Sequence, residues 1–140
     1  MLALRLVLDT NIVVSAALKP AGLQRTVLLL TLTKPARLYV SPPILKEYRI
    51  VLSRAEFQIR KGLRHQLLQL LENRAHSVAP SSLPQVTSDP ADNIFVECAD
   101  AARADYLIAG NPRHSPKFWK KTKIITSREF IGIVGPHLLS

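Results

Sequence analysis

The chain has 140 residues, 47% of them hydrophobic, which is enough for one domain with a real core and too little for two ordinary ones. Nineteen Lys and Arg against ten Asp and Glu leave a formal charge of +9, which points to an anionic partner, nucleic acid ahead of an anionic membrane surface. A single cysteine, Cys98, excludes an intramolecular disulfide framework and a cysteine-based zinc site, and no run approaches the roughly 20 apolar residues of a membrane span. The apolar start, residues 1–8, is too short for a signal peptide, so the expectation is a cytoplasmic protein with no membrane partner.

Residues 4–8 form a short apolar run carrying one Arg, the pattern of a mostly buried strand. Residues 10–18 read as a helix stopped by Pro20 and Gly22, and residues 23–32 as a second, buried helix. Residues 37–40 give a second strand. Ser41-Pro42 then starts a helix, with Ser as N-cap and Pro in the first turn, and Ile44, Leu45, Tyr48, Val51 and Leu52 share one face behind it. Ile59, Leu63, Leu67, Leu70 and Leu71 make the next apolar stripe, opposed by Lys61, His65, Gln69 and Glu72. Residues 75–78 are a weak third strand, and the Pro- and Ser-rich residues 79–90 are a loop. A largely apolar helix follows over about residues 91–103, with Cys98 in it as a buried structural thiol. Residues 106–109 give a fourth strand, residues 123–126 a fifth, and a short helix near Arg128 ends the chain. Strands alternating with helices define a single α/β domain, residues 1–140, around a parallel sheet.

In such sheets ligands collect at the carboxyl edge, beyond the strand ends. Asp9 follows the first strand, Glu47 lies about two turns into the helix after the second, Asp92 opens the helix after the third, and Gly110-Asn111 follows the fourth. Each carboxylate has an ordinary reading by itself: Asp9 as a helix cap, Glu47 as a solvated helix residue, Asp92 as a partner of a helix N-terminus. Their convergence on one edge is another matter, because like charges held together raise one another's pKa values unless a cation joins them. Oxygen ligands of this kind suit Mg²⁺ or Mn²⁺. Asp105 precedes its strand and belongs to the opposite edge. Glu97, five residues beyond Asp92, is rotated off its face.

Leu6-Val7-Leu8-Asp9-Thr10-Asn11, the segment from Ser41 to Glu47, and Asp92-Asn93-Ile94-Phe95-Val96-Glu97-Cys98-Ala99 together resemble the PIN-domain family, over essentially the whole chain and closest to its branch of toxin components of toxin–antitoxin systems. The resemblance implies a three-layer α/β/α fold with a five-stranded parallel sheet. It also implies a metal-dependent ribonuclease acting on single-stranded RNA, partnered by a cognate antitoxin, with homodimers common in the family. By position, Asp9, Glu47 and Asp92 then resemble the catalytic, metal-binding acids, and Asn11, Thr126 and Ser127 the polar residues that orient the site. Many members carry a fourth carboxylate where this chain has Asn111; the Gly-Asn-x-x-His form seen here looks like a variant of the branch. Asn offers a neutral oxygen to a metal and removes one negative charge, so weaker binding of a second ion is expected.

Arg113, His114, Lys117, Lys120 and Lys121 crowd the connection after Asn111 and are expected to grip the RNA backbone, with Lys123 beside them and Phe118 and Trp119 placed to stack on bases or pack against the domain. Arg54, Arg60, Lys61 and Arg64 form a second basic group that reads as a solvated helix face. The rival to a nuclease is a catalytically weak PIN-like domain that binds RNA or a protein partner, and Asn111 keeps that rival alive. A phosphoacceptor signalling domain fits less well, since Thr126 and Ser127 stand where such a domain has a lysine.

Overall fold

The computed structural model describes residues 2–80, 90–110 and 118–138, with residues 90–92 as backbone only. In chain order the elements are β1 (Arg5–Leu8), α1 (Thr10–Leu18), α2 (Leu23–Thr31), β2 (Arg37–Val40), α3 (Pro42–Leu52), a 3₁₀ turn (Ala55–Phe57), α4 (Lys61–Arg74), β3 (His76–Ser77), α5 (Pro90–Ala102), β4 (Tyr106–Ile108), β5 (Phe118–Trp119), β6 (Thr122–Ile125) and α6 (Ser127–Leu138). The sheet runs β3-β2-β1-β4-β6-β5. Its first five members are parallel, as expected, and the short β5 is added antiparallel at the β6 edge. β5 and β6 form a hairpin whose two-residue turn is Lys120-Lys121, with Lys120 at φ 52°. The usual turn signal, Asn-Gly or Gly, is absent, which is why this hairpin reads as loop in the sequence.

β1 sits in the middle of the sheet, and Leu6, Val7 and Leu8 are completely buried. A strand buried on both faces needs a continuous apolar run rather than an alternating one, and residues 6–8 supply it. α5 packs against β1, β2 and β4, while α1 packs against α2 and α3. The buried side chains form one apolar cluster that includes Ile12, Leu28, Leu38, Ile44, Leu52, Phe95, Ile108, Ile125 and Phe130. Cys98 is inside it as a free thiol.

Two helix starts fix the directions that matter for the site. Ser41, fully buried, accepts from the Ile44 amide (3.4 Å) and so begins α3 directly beyond β2. Thr126 and Glu129 exchange hydrogen bonds at the start of α6: Thr126 Oγ1 accepts from the Glu129 amide and Glu129 Oε1 from the Thr126 amide, each at 3.1 Å. This reciprocal cap satisfies two amide donors that would otherwise lack partners. α5 ends beside the start of β1, where the Arg5 Nε donates to the Ala102 carbonyl at 2.8 Å. It therefore runs from the carboxyl edge of the sheet back to the amino edge.

Candidate functional site

Where β1 gives way to α1, Asp9 serves two elements at once. Its amide donates to the Ile108 carbonyl, carrying the β1–β4 pairing one residue further. Its Oδ1 accepts from the Ile12 amide at 3.3 Å, capping α1, and its Oδ2 accepts from the Gly110 amide at 3.0 Å, just past β4. The helix N-terminus favours the ionised carboxylate. Capping and site-building are thus one arrangement.

Glu47 is brought to the same place by Thr10. The buried Thr10 hydroxyl donates to Glu47 Oε2 at 2.8 Å, so the carboxylate on α3 is tied to the residue next to Asp9. Beneath both, Tyr48 is fully buried and donates its hydroxyl to the Leu8 carbonyl. Burial pushes the Tyr48 pKa well above the ordinary phenol value, and electrostatic interaction with Asp9, Cys98 and Glu47 pushes it further. The phenol therefore stays a neutral donor under the acidic edge. Cys98 is likewise pushed up to about 12 by burial, partly offset by a hydrogen bond with Ser41.

Asp92 lies in the first turn of α5, whose direction brings its backbone to the same carboxyl edge. Asn11 is exposed in the first turn of α1 and lies against Gly110: a Cβ at position 110 would stand 3.0 Å from the Asn11 Cβ. Glycine is what allows the chain leaving β4 to pass that close. The next residue, Asn111, and with it Arg113, His114 and Lys117, lie outside the described residues.

Four further residues expected at the site are Thr126 and Ser127, which follow β6 at the carboxyl edge, and Lys120 and Lys121, which precede it. The Thr126 hydroxyl is engaged in the α6 cap. Ser127 is buried and donates to Gln24 Oε1, joining α6 to α2. Lys120 and Lys121 form the turn that precedes β6, and β6 starts beside the start of β4, so both lysines stand at the amino edge, away from Asp9. Lys120 pairs there with Asp100 of α5 at 3.0 Å. Of the two aromatics, Phe118 is exposed and Trp119 half-buried against the core. Asp105, excluded from the acidic edge, is indeed at the amino edge, where it accepts from the Arg5 amide at 2.8 Å.

The donor set suits a hard divalent cation. Among the described residues no cation pairs with Glu47, although Thr10 occupies only one of its oxygens. Two carboxylates held within electrostatic reach of one tyrosine are oxygen ligands of the kind Mg²⁺ and Mn²⁺ take, and the backbone of Asp92 stands at the same edge. Among the described side chains no group of three Asp, Glu, His or Cys gathers as a metal cluster; the Asp92 side chain is not among them.

An α/β sheet that is parallel but for one edge strand, with acids on its carboxyl edge, defines a class of ligand-binding and catalytic domains. The comparisons narrow it. The PIN domain family profile matches residues 5–113, and the chain belongs to the PIN-domain family, whose members are generally nucleases that use divalent metal ions. No curated protein matches the chain. Among solved structures, VapBC2 from Rickettsia felis, crystallised bound to a DNA fragment from its promoter, is similar with a TM-score of 0.59 and 18% identity, covering 86% of this chain and 96% of that one. Similarity at that identity speaks for the fold.

No single described helix is long and apolar enough to cross a membrane. Thr10 holds Glu47 and Tyr48 holds the Leu8 carbonyl, contacts that an apolar-face reading of Tyr48 does not reveal. The signal was adjacency: each directly follows one of the acids, Asp9 and Glu47.

Proposed function

We propose that this chain is a cytoplasmic endoribonuclease, dependent on Mg²⁺ or Mn²⁺, that hydrolyses phosphodiester bonds in single-stranded RNA as the toxin of a toxin–antitoxin pair. The observation that carries the reading is the fixed pair of carboxylates: Asp9 locked by the Ile12 and Gly110 amides, and Glu47 tied to it through Thr10. Membership of a family of nucleases supports the reaction class. The similar VapBC2 structure, a toxin–antitoxin complex, supports a cognate antitoxin as protein partner; a homodimer is a further partner we propose on family grounds.

Asp9, Glu47 and Asp92 would hold the metal, with Asn111 as a neutral fourth ligand. A bound divalent ion supplies an activated water and neutralises charge building on the phosphate during in-line attack. The chain's own contribution is preorganisation. Two backbone amides orient Asp9, one hydroxyl orients Glu47, and the neutral Tyr48 holds the Leu8 carbonyl, so the acids do not have to be gathered when substrate arrives. Asn11, exposed and set against Gly110, would orient the site, and Arg113, His114 and Lys117 follow Asn111 in the chain, where cations would hold the phosphates on either side of the cut.

The test is cleavage of single-stranded RNA by the purified chain in Mn²⁺, with end-group analysis and Asp9→Asn alongside. We expect 5′-phosphate and 3′-hydroxyl ends, and at least a hundredfold loss in the variant. Equal cleavage by both proteins would contradict the reading. RNA binding without any cleavage would favour the catalytically weak binding domain that Asn111 suggests.

A further inference from the structure

A group of basic side chains stands at the edge of the sheet opposite Asp9 and Glu47. A half-open cavity of about 1040 Å³ lies at the amino edge, lined by Arg5, Lys34, Arg37, Arg74 and His76. Among the described residues no Asp or Glu lines it. Glu72, next to the lining segment Asn73-Arg74, pairs with Arg49 at 3.3 Å, and Asp105 accepts from the Arg5 amide.

The cations form a row. Arg37 of β2 is the register partner of Arg5 of β1, and His76 of β3 is the register partner of Tyr39, two residues past Arg37. Residues paired or two apart in a parallel sheet share a face, so Arg5, Arg37, Tyr39 and His76 all lie on one side of it. The contacts agree. The Arg5 guanidinium lies 4.9 Å from the Tyr39 ring centre, and the Tyr39 and His76 rings are 5.4 Å apart. Adjacent strands stand about 4.8 Å apart, so the Arg5 and Arg37 charges lie side by side on two strands, with the His76 ring beyond them on the third. The Lys120-Lys121 turn stands at the same edge on the far side of β4, with Lys120 paired to Asp100. Arg74, in the last turn of α4, complements that helix's dipole, but Lys34, Arg37 and His76 lie outside helices and are exposed.

A line of cations fits a ligand whose anionic groups also recur along a line. We propose that the amino edge is a second, non-catalytic binding site for the phosphodiester backbone of single-stranded RNA, holding the strand whose scissile part lies at the acidic edge. The assignment of RNA rests on the function proposed above. The two edges are about 13 Å apart along β1, so only a strand longer than the cleft itself reaches both.

The experiment compares a long single-stranded RNA with a short one that just fills the acidic cleft. It measures binding by fluorescence anisotropy against salt, in an Asp9→Asn background that prevents cleavage, with and without the triple substitution Lys34→Gln, Arg37→Gln, Arg74→Gln. All three side chains are exposed, and circular dichroism checks the fold. The expected result is a loss of tenfold or more in affinity for the long RNA, a log–log salt slope flattened by about 2, and unchanged affinity for the short RNA. Undiminished binding of the long RNA would overturn the proposal. Polyglutamate bound as tightly as RNA, and lost in the triple variant, would also overturn it, in favour of an acidic protein partner. Cleavage of the short RNA is scored separately in the Asp9 protein, so failure of the nuclease reading is told apart from failure of this one.

Discussion

At the scale of single residues, the site depends on small groups that hold the acids rather than on the acids alone. Gly110 is the sharpest case, because its amide holds Asp9 Oδ2 while its missing side chain makes room for Asn11. Gly110→Ala places a Cβ 3.0 Å from the Asn11 Cβ, which forces the two segments apart. It should cost about 1–2 kcal/mol by urea denaturation, as overpacking does. Undiminished stability would mean that Asn11 yields freely. Asn111→Asp should tighten Mn²⁺ binding in a calorimetric titration, because it restores a charged oxygen ligand; no gain would place residue 111 outside the metal's reach. Asp9 and Glu47 were legible in the sequence because each stands at a fixed offset from a strand that reads clearly. Thr10 and Tyr48 were not, because a hydroxyl beside an acid says nothing about its bonding until the helices are placed.

At the scale of elements, helix caps decide where chemistry enters. The Thr126–Glu129 exchange starts α6, and it uses the Thr126 hydroxyl that the family resemblance assigned to orienting the site. Thr126→Ala should therefore cost about 1 kcal/mol and lower Tm by about 3–5 °C, leaving the cleavage rate at permissive temperature unchanged. A large loss of rate with little loss of stability would return Thr126 to the site. The parallel strands and the helices α1 to α5 were readable from apolar runs and their Pro, Gly and Ser boundaries, with Ser41-Pro42 marking α3, whereas α6 runs well past the short helix expected near Arg128. The β5–β6 hairpin was not readable. Two lysines make an unexpected turn, and one of them takes a left-handed backbone conformation that non-glycine residues seldom adopt. Missing the hairpin moved Lys120 and Lys121 in the sequence reading to the wrong edge of the sheet.

At the scale of the molecule, two buried groups couple stability to alkaline pH. Cys98 is held protonated up to about 12, and Tyr48 well beyond the ordinary phenol value. Below about pH 8.5 the thiol is neutral in both folded and unfolded chains, and its contribution is complete. As pH rises, the unfolded chain releases protons that the folded one keeps. Stability should then fall by up to about 1.4 kcal/mol per pH unit for each group, the thiol first and the phenol from about pH 10. Tm measured from pH 8 to 11 should drop accordingly, with a shallower drop in Cys98→Ala; a flat profile would contradict the burial of both groups. Part of the charge has a layout at this scale as well, with Asp9 and Glu47 at the carboxyl edge of the sheet and Arg5, Lys34, Arg37 and Arg74 around the cavity at the amino edge.

The most direct measurement is the rate of single-stranded RNA cleavage as a function of Mn²⁺ concentration, for the wild type, Asp9→Asn, Glu47→Gln and Asp92→Asn. The account predicts a rate that rises from zero and saturates with metal in the wild type, and falls by at least a hundredfold in each variant at equal Mn²⁺. Cleavage that persists in a chelator, or that survives all three substitutions, would contradict it.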